Sequence, residues 1–216
     1  FKDRGMTVAV SQAIRLGKKL IACASTGNTS ASLAAYAAQT DAQALVFIPD
    51  GKISTSKLSQ ALAYGAICIS VAGDFDKAMQ LVIQASTDLG IYMVNSLNPF
   101  RIEGQKTIIW DLLQQLAWKA PDWIIVPGGN LGNTSAFGKA IEEAWQAGWI
   151  AKKPRLVSVQ AEGASPFYKS FQNQFASLEP VKADTVASAI RIGNPVNFPK
   201  AKIAIKNTDG LVAMVT

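Results

Sequence analysis

The chain has 216 residues, 49% of them hydrophobic and 17% charged, with a mean hydropathy of +0.17. That balance excludes a disordered segment and supports a sizeable globular core, as one domain or two small ones. The formal charge of +6 comes from scattered lysines and arginines rather than a clustered basic face with interleaved aromatics. Nucleic-acid binding is therefore not expected, whereas an anionic small-molecule substrate suits the excess charge. No apolar run reaches the roughly 18–20 residues of a membrane span. There is no histidine, which closes many catalytic routes.

In chain order, short apolar runs alternate with longer amphipathic ones. The first segment, 4–16, reads as a helix stopped by Gly17. A strand at 20–24 follows. Then comes the polar turn Ser25-Thr26-Gly27-Asn28-Thr29-Ser30, which opens a helix at 29–39. Strands at 44–48, 66–71 and 91–94 alternate with helices at 55–64 and 75–89, with Asp74 as the N-cap of the latter. A long helix is predicted over 101–119, ending before Pro121. A strand at 123–126 leads through a glycine-rich loop to a helix at 134–147, and a strand at 156–160 follows. Beyond about Pro180 the pattern weakens, and the last residues before Thr216 read as one more strand. The strands lack polar alternation, as strands buried on both faces do. The rhythm predicts an α/β chain with parallel sheets and crossover helices. Cys23 and Cys68 both fall in strands expected to be buried, so no disulfide framework is expected. The chain opens on Phe1 inside a motif and is read as a partial sequence, cut at both ends.

Three stretches can carry chemistry. The run Pro127-Gly128-Gly129-Asn130-Leu131-Gly132-Asn133-Thr134 goes from strand to loop to helix. Glycines let backbone approach an anion, and a helix N-terminus offers unpaired N–H groups and the positive end of a dipole. It lacks the Gly-Lys-Ser/Thr of an NTP-binding loop and the Gly-x-Gly-x-x-Gly spacing of dinucleotide folds. Taken alone, it reads equally as an anion cradle or a plain strand–helix turn. Lys2 is the second feature. A lysine before a helix is usually a surface residue. Phe1 beside it would desolvate the amine and lower its pKa, and Gly5, one turn on, would permit close approach. The third is Val94-Asn95-Ser96-Leu97-Asn98-Pro99-Phe100-Arg101, where polar groups sit at a strand end beside an arginine. Arg101 could grip a phosphate or carboxylate. Equally, Asn98 and Pro99 could simply start a helix that carries a surface arginine. Gly-Asn-Thr-Ser-Ala occurs twice, at Gly27 and at Gly132. Helix-start chemistry accounts for this without an internal repeat.

Taken together, Phe-Lys-Asp-Arg-Gly-Met at Phe1, Ser-Thr-Gly-Asn-Thr-Ser-Ala-Ser at Ser25, and Asn-Ser-Leu-Asn-Pro-Phe-Arg-Ile-Glu-Gly-Gln-Lys-Thr at Asn95 closely resemble the threonine synthase family. So do Gly-Gly-Asn-Leu-Gly-Asn at Gly128 and Ala-Ile-Arg-Ile-Gly-Asn-Pro-Val-Asn at Ala189. The related serine/threonine dehydratases and cysteine synthases share the lysine and the Gly-Asn turn but differ in the glycine loop.

The resemblance implies a two-domain, fold-type II pyridoxal 5′-phosphate (PLP) enzyme with parallel-rich sheets flanked by helices, incomplete at both ends. Residues 1–97 would be a smaller domain carrying the lysine and the Gly-Asn turn, and 98–216 part of a larger domain carrying the phosphate loop. It implies a carbon–oxygen lyase acting on phosphates, which converts O-phospho-L-homoserine and water to L-threonine and phosphate by β,γ-replacement. By the same resemblance Lys2 binds PLP covalently and then shuttles protons. Asn28 contacts the ring's 3′ oxygen, and Gly129, Asn130, Leu131, Gly132 and Asn133 hold the cofactor phosphate. Thr29, Asn95, Ser96, Arg101 and Asn130 bind substrate, with Arg101 the main phosphate partner, and no metal is implied. A cytoplasmic (in a plant, plastid) homodimer acting on a small molecule, with no membrane or nucleic-acid partner, is expected. The alternatives are a serine/threonine dehydratase-type lyase and a non-catalytic PLP-binding paralogue. About a third of a family-length chain is expected to be missing.

Overall fold

The computed structural model describes residues 1–50, 55–73 and 75–216. The expected N-cap Asp74 lies outside the described residues. The chain divides into two compact units, Phe1–Gly104 and Gln105–Thr216.

The first unit holds a four-stranded parallel sheet in the order β3-β2-β1-β4. Its strands are β1 (Leu20–Ala24), β2 (Gln43–Pro49), β3 (Ile67–Val71) and β4 (Tyr92–Met93). Helices α1 (Lys2–Arg15), α2 (Asn28–Ala37), α3 (Thr55–Ala63) and α4 (Phe75–Leu89) alternate with them, and α5 (Pro99–Gln105) follows β4. Strand alternation sends side chains of β1 and β2 to opposite faces. Ile21, Cys23, Val46 and Ile48 join the core formed with Met6, Ala9, Val10 and Ala13 of α1 and Leu33, Ala34 and Ala37 of α2. Ala22, Ala24, Leu45 and Phe47 join Ala78 and Val82 of α4 on the other face. The buried positions of α1 recur with helical spacing, which is why this sequence forms a helix that covers a sheet. Gly17, at φ +68°, ends α1 with Lys18 N–H on Ala13 O at 2.9 Å, the glycine stop expected there.

The second unit holds a three-stranded parallel sheet in the order β5-β6-β7. Its strands are β5 (Trp123–Pro127), β6 (Arg155–Ala161) and β7 (Leu211–Val215), with helices α6 (Thr107–Gln115), α7 (Gly132–Gln146), α8 (Pro166–Gln172) and α9 (Phe198–Asn207). Helices α7 and α9 meet closely: a methyl group on Gly138 would lie 2.8 Å from Ala204 Cα.

Three expectations need correction. Burial on both faces holds for β1 and β2 but not for the edge strands. In β5 Trp123 and Ile125 are exposed, and in β3 Ile67 is exposed and Cys68 only half-buried. One face of β5 is left uncovered among the described residues, and a hydrophobic run does not reveal which face is covered. The single helix expected over 101–119 is two helices, α5 and α6, broken at Lys106. The second ends at Gln115 because Ala117 and Trp118 turn left-handed, at φ 51° and 62°. Trp118 is held there by its N–H on Leu113 O at 2.7 Å and by ring packing on Trp149 at 5.2 Å. Helix α8, before the stretch where the pattern fades, and helix α9, within it, were not expected.

Candidate active site

In the first unit, the carboxyl ends of parallel strands β1 and β4 bring two of the predicted stretches together. This is the end of a parallel sheet where ligands bind in α/β folds. Asn95 clamps the two strand ends: its Oδ1 accepts the Ala24 N–H at 3.0 Å and its Nδ2 donates to Ala24 O at 2.9 Å. The β1 end then turns through Ser25, whose Oγ accepts the Gly27 N–H at 3.2 Å, into α2. Asn28 is the exposed first residue of α2, and Thr29 behind it is buried. Ser30 Oγ donates to Gly27 O at 2.7 Å, which holds the turn. Asn28 also lines a cleft of about 340 Å³ with Lys2, Ser32, Gln60 and Tyr64.

The β4 end leads through half-buried Ser96 to Asn98. Asn98 Oδ1 accepts the Phe100 N–H at 2.9 Å and its Nδ2 donates to Met93 O at 2.8 Å. Asn98 therefore does start a helix, with Pro99 first in it, as the plainer reading had it. The arginine on that helix is not a surface group. Arg101 is 2% exposed; it donates from Nη1 to Val94 O at 3.2 Å, and its Nε has no partner. Among the described residues no carboxylate pairs with it. A buried cation left in this state is costly, and a bidentate anion offsets that cost.

Lys2 is half-buried at the start of α1. Its amine is lowered to about 8, chiefly by burial and next by the Arg101 charge, with Cys23 acting weakly the other way. Burial pushes the Cys23 thiol up to about 12, so it stays neutral beside the amine. Arg101 is itself pushed down by burial. The lowered amine agrees in direction with the sequence expectation, and Phe1 lines the same cleft as Lys2. The Phe1 ring is 56% exposed and presents its face 4.7 Å from Nζ, a cation–π contact that favours the charged form.

The second unit carries the glycine loop, and a count of its backbone groups shows how it is built. Gly128 N–H bonds Val159 O at 2.7 Å. The carbonyls are turned into the protein. Gly128 O accepts from Gln160 Nε2 at 3.1 Å, and Leu131 O from the N–H and Oγ of Ser135 at 3.0 and 2.8 Å. Asn130 O accepts from both the N–H and Nδ2 of Asn197, at 3.3 and 3.1 Å. Leu131 takes a left-handed step at φ 62° with its side chain buried. The N–H groups of Gly129, Asn130, Leu131, Gly132 and Asn133 are left without a backbone acceptor among the described residues. Unpaired backbone donors at a helix start are the groups an anion cradle requires. Asn133 Oδ1, buried beside them, also has no partner.

The sequence reading passed over three residues that build this loop. Gln160 and Ser158 are polar in an otherwise apolar strand, and both are fully buried. Gln160 Oε1 also takes the Phe167 and Tyr168 N–H groups at 2.8 and 3.0 Å, tying the start of α8 to the loop. Ser158 Oγ meets Thr134 Oγ1 at 3.1 Å. Polar residues in a run read as buried were the available signal. Asn197 lay in a quoted motif without a role.

The pattern of the family described as pyridoxal-phosphate dependent enzyme matches residues 1–216. A threonine synthase of Methanocaldococcus jannaschii is 49% identical over 217 residues, covering 100% of this chain and 54% of that protein. Threonine synthase 2, chloroplastic, of Arabidopsis thaliana is 46% identical, covering 100% of this chain and 43% of that protein. The chain thus spans about half the length of the curated relatives it matches, less than the two thirds expected. Among solved structures, a threonine deaminase isoform 2 of Solanum lycopersicum superposes with a TM-score of 0.84 at 20% identity, over 100% of this chain and 60% of that one. Maize serine racemase does so with a TM-score of 0.82 at 21% identity, over 100% and 62%. At such identities these two speak to the fold alone. No helix among the described residues is long and apolar enough to cross a membrane.

Proposed function

The chain belongs to the family of pyridoxal-phosphate dependent enzymes, and from that premise we propose that it is part of a threonine synthase. The reaction is conversion of O-phospho-L-homoserine and water to L-threonine and phosphate. The two units correspond in this reading to the smaller, lysine-bearing domain and to part of the larger, phosphate-binding domain of a homodimeric enzyme. Its setting is the cytoplasm, or the plastid should the source be a plant.

The residues present fit the cofactor. Five N–H donors without acceptors suit a phosphate, and Lys2 offers an amine lowered to about 8. In this reading Lys2 holds PLP, Asn28 meets the ring's 3′ oxygen, and Gly129, Asn130, Leu131, Gly132 and Asn133 hold its phosphate. When bound, PLP supplies an electron sink for charge developed on the substrate.

The observation that carries the substrate assignment is Arg101. The loop answers the cofactor's phosphate, and a buried guanidinium without a carboxylate calls for a second anion. O-Phosphohomoserine brings such a phosphate. Arg101 grips it and takes up charge as it leaves Cγ, with Thr29, Asn95, Ser96 and Asn130 orienting the rest of the substrate. Asn95 keeps a second lone pair and a second N–H for this beyond its bonds to Ala24. The neutral Lys2 amine takes the proton at Cα and moves protons at Cβ and Cγ, work a histidine does elsewhere. Water then adds at Cβ. The names of relatives at 43–49% identity support the same reading.

The test is the full-length protein with O-phosphohomoserine. Threonine and phosphate are expected in equal amounts. Ketoacid from threonine, with no phosphate released from O-phosphohomoserine, would replace this reading by the dehydratase one. PLP held with no turnover of either would leave a non-catalytic paralogue.

Asn197→Ala is expected to weaken PLP binding by roughly 3- to 10-fold, since one hydrogen bond of about 1 kcal/mol no longer turns the Asn130 carbonyl away from the phosphate. The Asn197 side chain makes no capping bond to α9, so the melting temperature should move by only a few degrees. Fluorescence titration of the full-length apoprotein with PLP checks this. An unchanged affinity would mean that the Asn197 N–H and the Leu131 step hold the Asn130 carbonyl without the side chain.

A further inference from the structure

Helices α1 and α5 approach each other at backbone distance. A methyl group placed on Gly104 would overlap the Arg4 carbonyl oxygen and lie 2.7 Å from the Arg4 carbonyl carbon and 2.8 Å from Gly5 Cα. No side chain fits in that gap, and the obstructing atoms are main chain, which cannot rotate aside. Gly5 is buried on the α1 side of the crossing. Two small residues thus set the separation of the helices. Lys2 is one turn before the crossing on α1, and Arg101 is one turn before it on α5.

We propose that Gly104 is a positioning residue: its contact with the Arg4–Gly5 backbone fixes the helix that carries the buried Arg101 guanidinium relative to the helix that begins at Lys2. The Arg101 charge is the second cause, after burial, of the lowered Lys2 amine. The second of these depends on how closely α5 is seated. A displaced α5 takes the positive charge away, which favours the ammonium. The other titratable groups near Lys2 are the Cys23 thiol from β1, Asp3 on α1 itself, and Tyr64 at the end of α3, which shares the cleft. The thiol, at about 12, stays neutral through the working range. Gly104 touches neither substrate nor cofactor in this account; it acts through Arg101. The inference concerns the amine, and it stands whichever reaction the enzyme performs.

The experiment is competitive acylation of the full-length protein, stripped of cofactor, with isotopically coded acetic anhydride across pH 6–11 and peptide mass mapping. The labelling midpoint of Lys2 is expected near the value of about 8 in the parent. It should rise by about one pH unit or more in Gly104→Ala, toward the ordinary lysine range. In an Arg101→Met background Gly104→Ala should add markedly less, because the charge it displaces is already gone. A midpoint that stays put in Gly104→Ala while the melting temperature falls would reduce Gly104 to ordinary packing and overturn the proposal. Should Gly104→Ala fail to fold, Arg101→Met decides: a raised Lys2 midpoint supports the coupling, and an unmoved one overturns it. A parent midpoint near 8 in a protein that fails to release phosphate from O-phosphohomoserine would sink the proposed reaction and leave this inference intact.

Discussion

Replacing Lys2 by alanine in the full-length protein is expected to lower turnover of O-phosphohomoserine by at least about a thousandfold. A loss of that size corresponds to about 4 kcal/mol of transition-state stabilisation. Lys2 has two proposed tasks, holding the cofactor and moving the substrate's protons, and among the described residues lining its cleft no other side chain carries an amine. Cys23 is buried and neutral, the chain has no histidine, and Arg101 remains a cation in proteins. The lowered amine matters because a neutral base is needed near neutral pH. The same lowering has a stability consequence. Between about 8, the folded value, and its ordinary value of 10.5, the unfolded chain binds the proton and the folded chain does not. Folding therefore gains from this group as pH rises through that window and gains nothing from it below the window. Lys2→Ala removes the amine and should flatten that part of the stability profile. Turnover within tenfold of the parent, measured as phosphate release, would remove Lys2 from the chemistry.

Arg101→Ala has the second largest expected effect, and of a different kind. Charge-assisted hydrogen bonds contribute about 1.5–3 kcal/mol, so loss of the guanidinium should raise KM for O-phosphohomoserine by roughly 10- to 100-fold. PLP affinity should change little, because the cofactor phosphate is assigned to the glycine loop. Folding stability should hold or increase, since an unpaired buried cation is removed. This last sign separates the account from a structural role: a truly paired arginine would destabilise the fold on removal. Arg101→Lys should recover only part of the affinity, because a lysine cannot offer the planar two-pronged grip. Initial-rate kinetics and thermal melts on the same preparations check all three statements. An unchanged KM would return Arg101 to a packing role.

Much of the fold was legible because local signals and tertiary outcome agree. Strand β1 was read at its observed bounds, and Gly17 and Gly148 end their helices at positive φ as such stops require. The reading failed where structure depends on what lies across from a segment. Nothing in Trp123-Ile124-Ile125-Val126 tells an edge strand from a central one. The break at Lys106 carries no stop signal, since Gln105 and Lys106 are themselves good helix formers. Helix α9 begins at Asn197-Phe198-Pro199, a start signal that a weakening pattern concealed.

The candidate site was legible unevenly, for the same reason. Lys2, the Gly-Asn turn and the glycine loop stood out by residue type, but each was ambiguous alone and took its expected role from the family resemblance of the motifs together. Their supports did not stand out: Gln160, Asn197 and Gly104 act through long-range contacts to Gly128 O, Asn130 O and Arg4 O. Arg101 was ambiguous for a physical reason, since its neighbours Asn98 and Pro99 would start a helix whether or not that helix is buried.

The account turns on Lys2 being the amine that holds the cofactor. The most direct measurement is borohydride reduction of the full-length protein with PLP, followed by peptide mass mapping. A single phosphopyridoxyl group on Lys2, absent from Lys2→Ala, is the result the account predicts. A group on any other lysine, or none on a folded protein saturated with PLP, would contradict it.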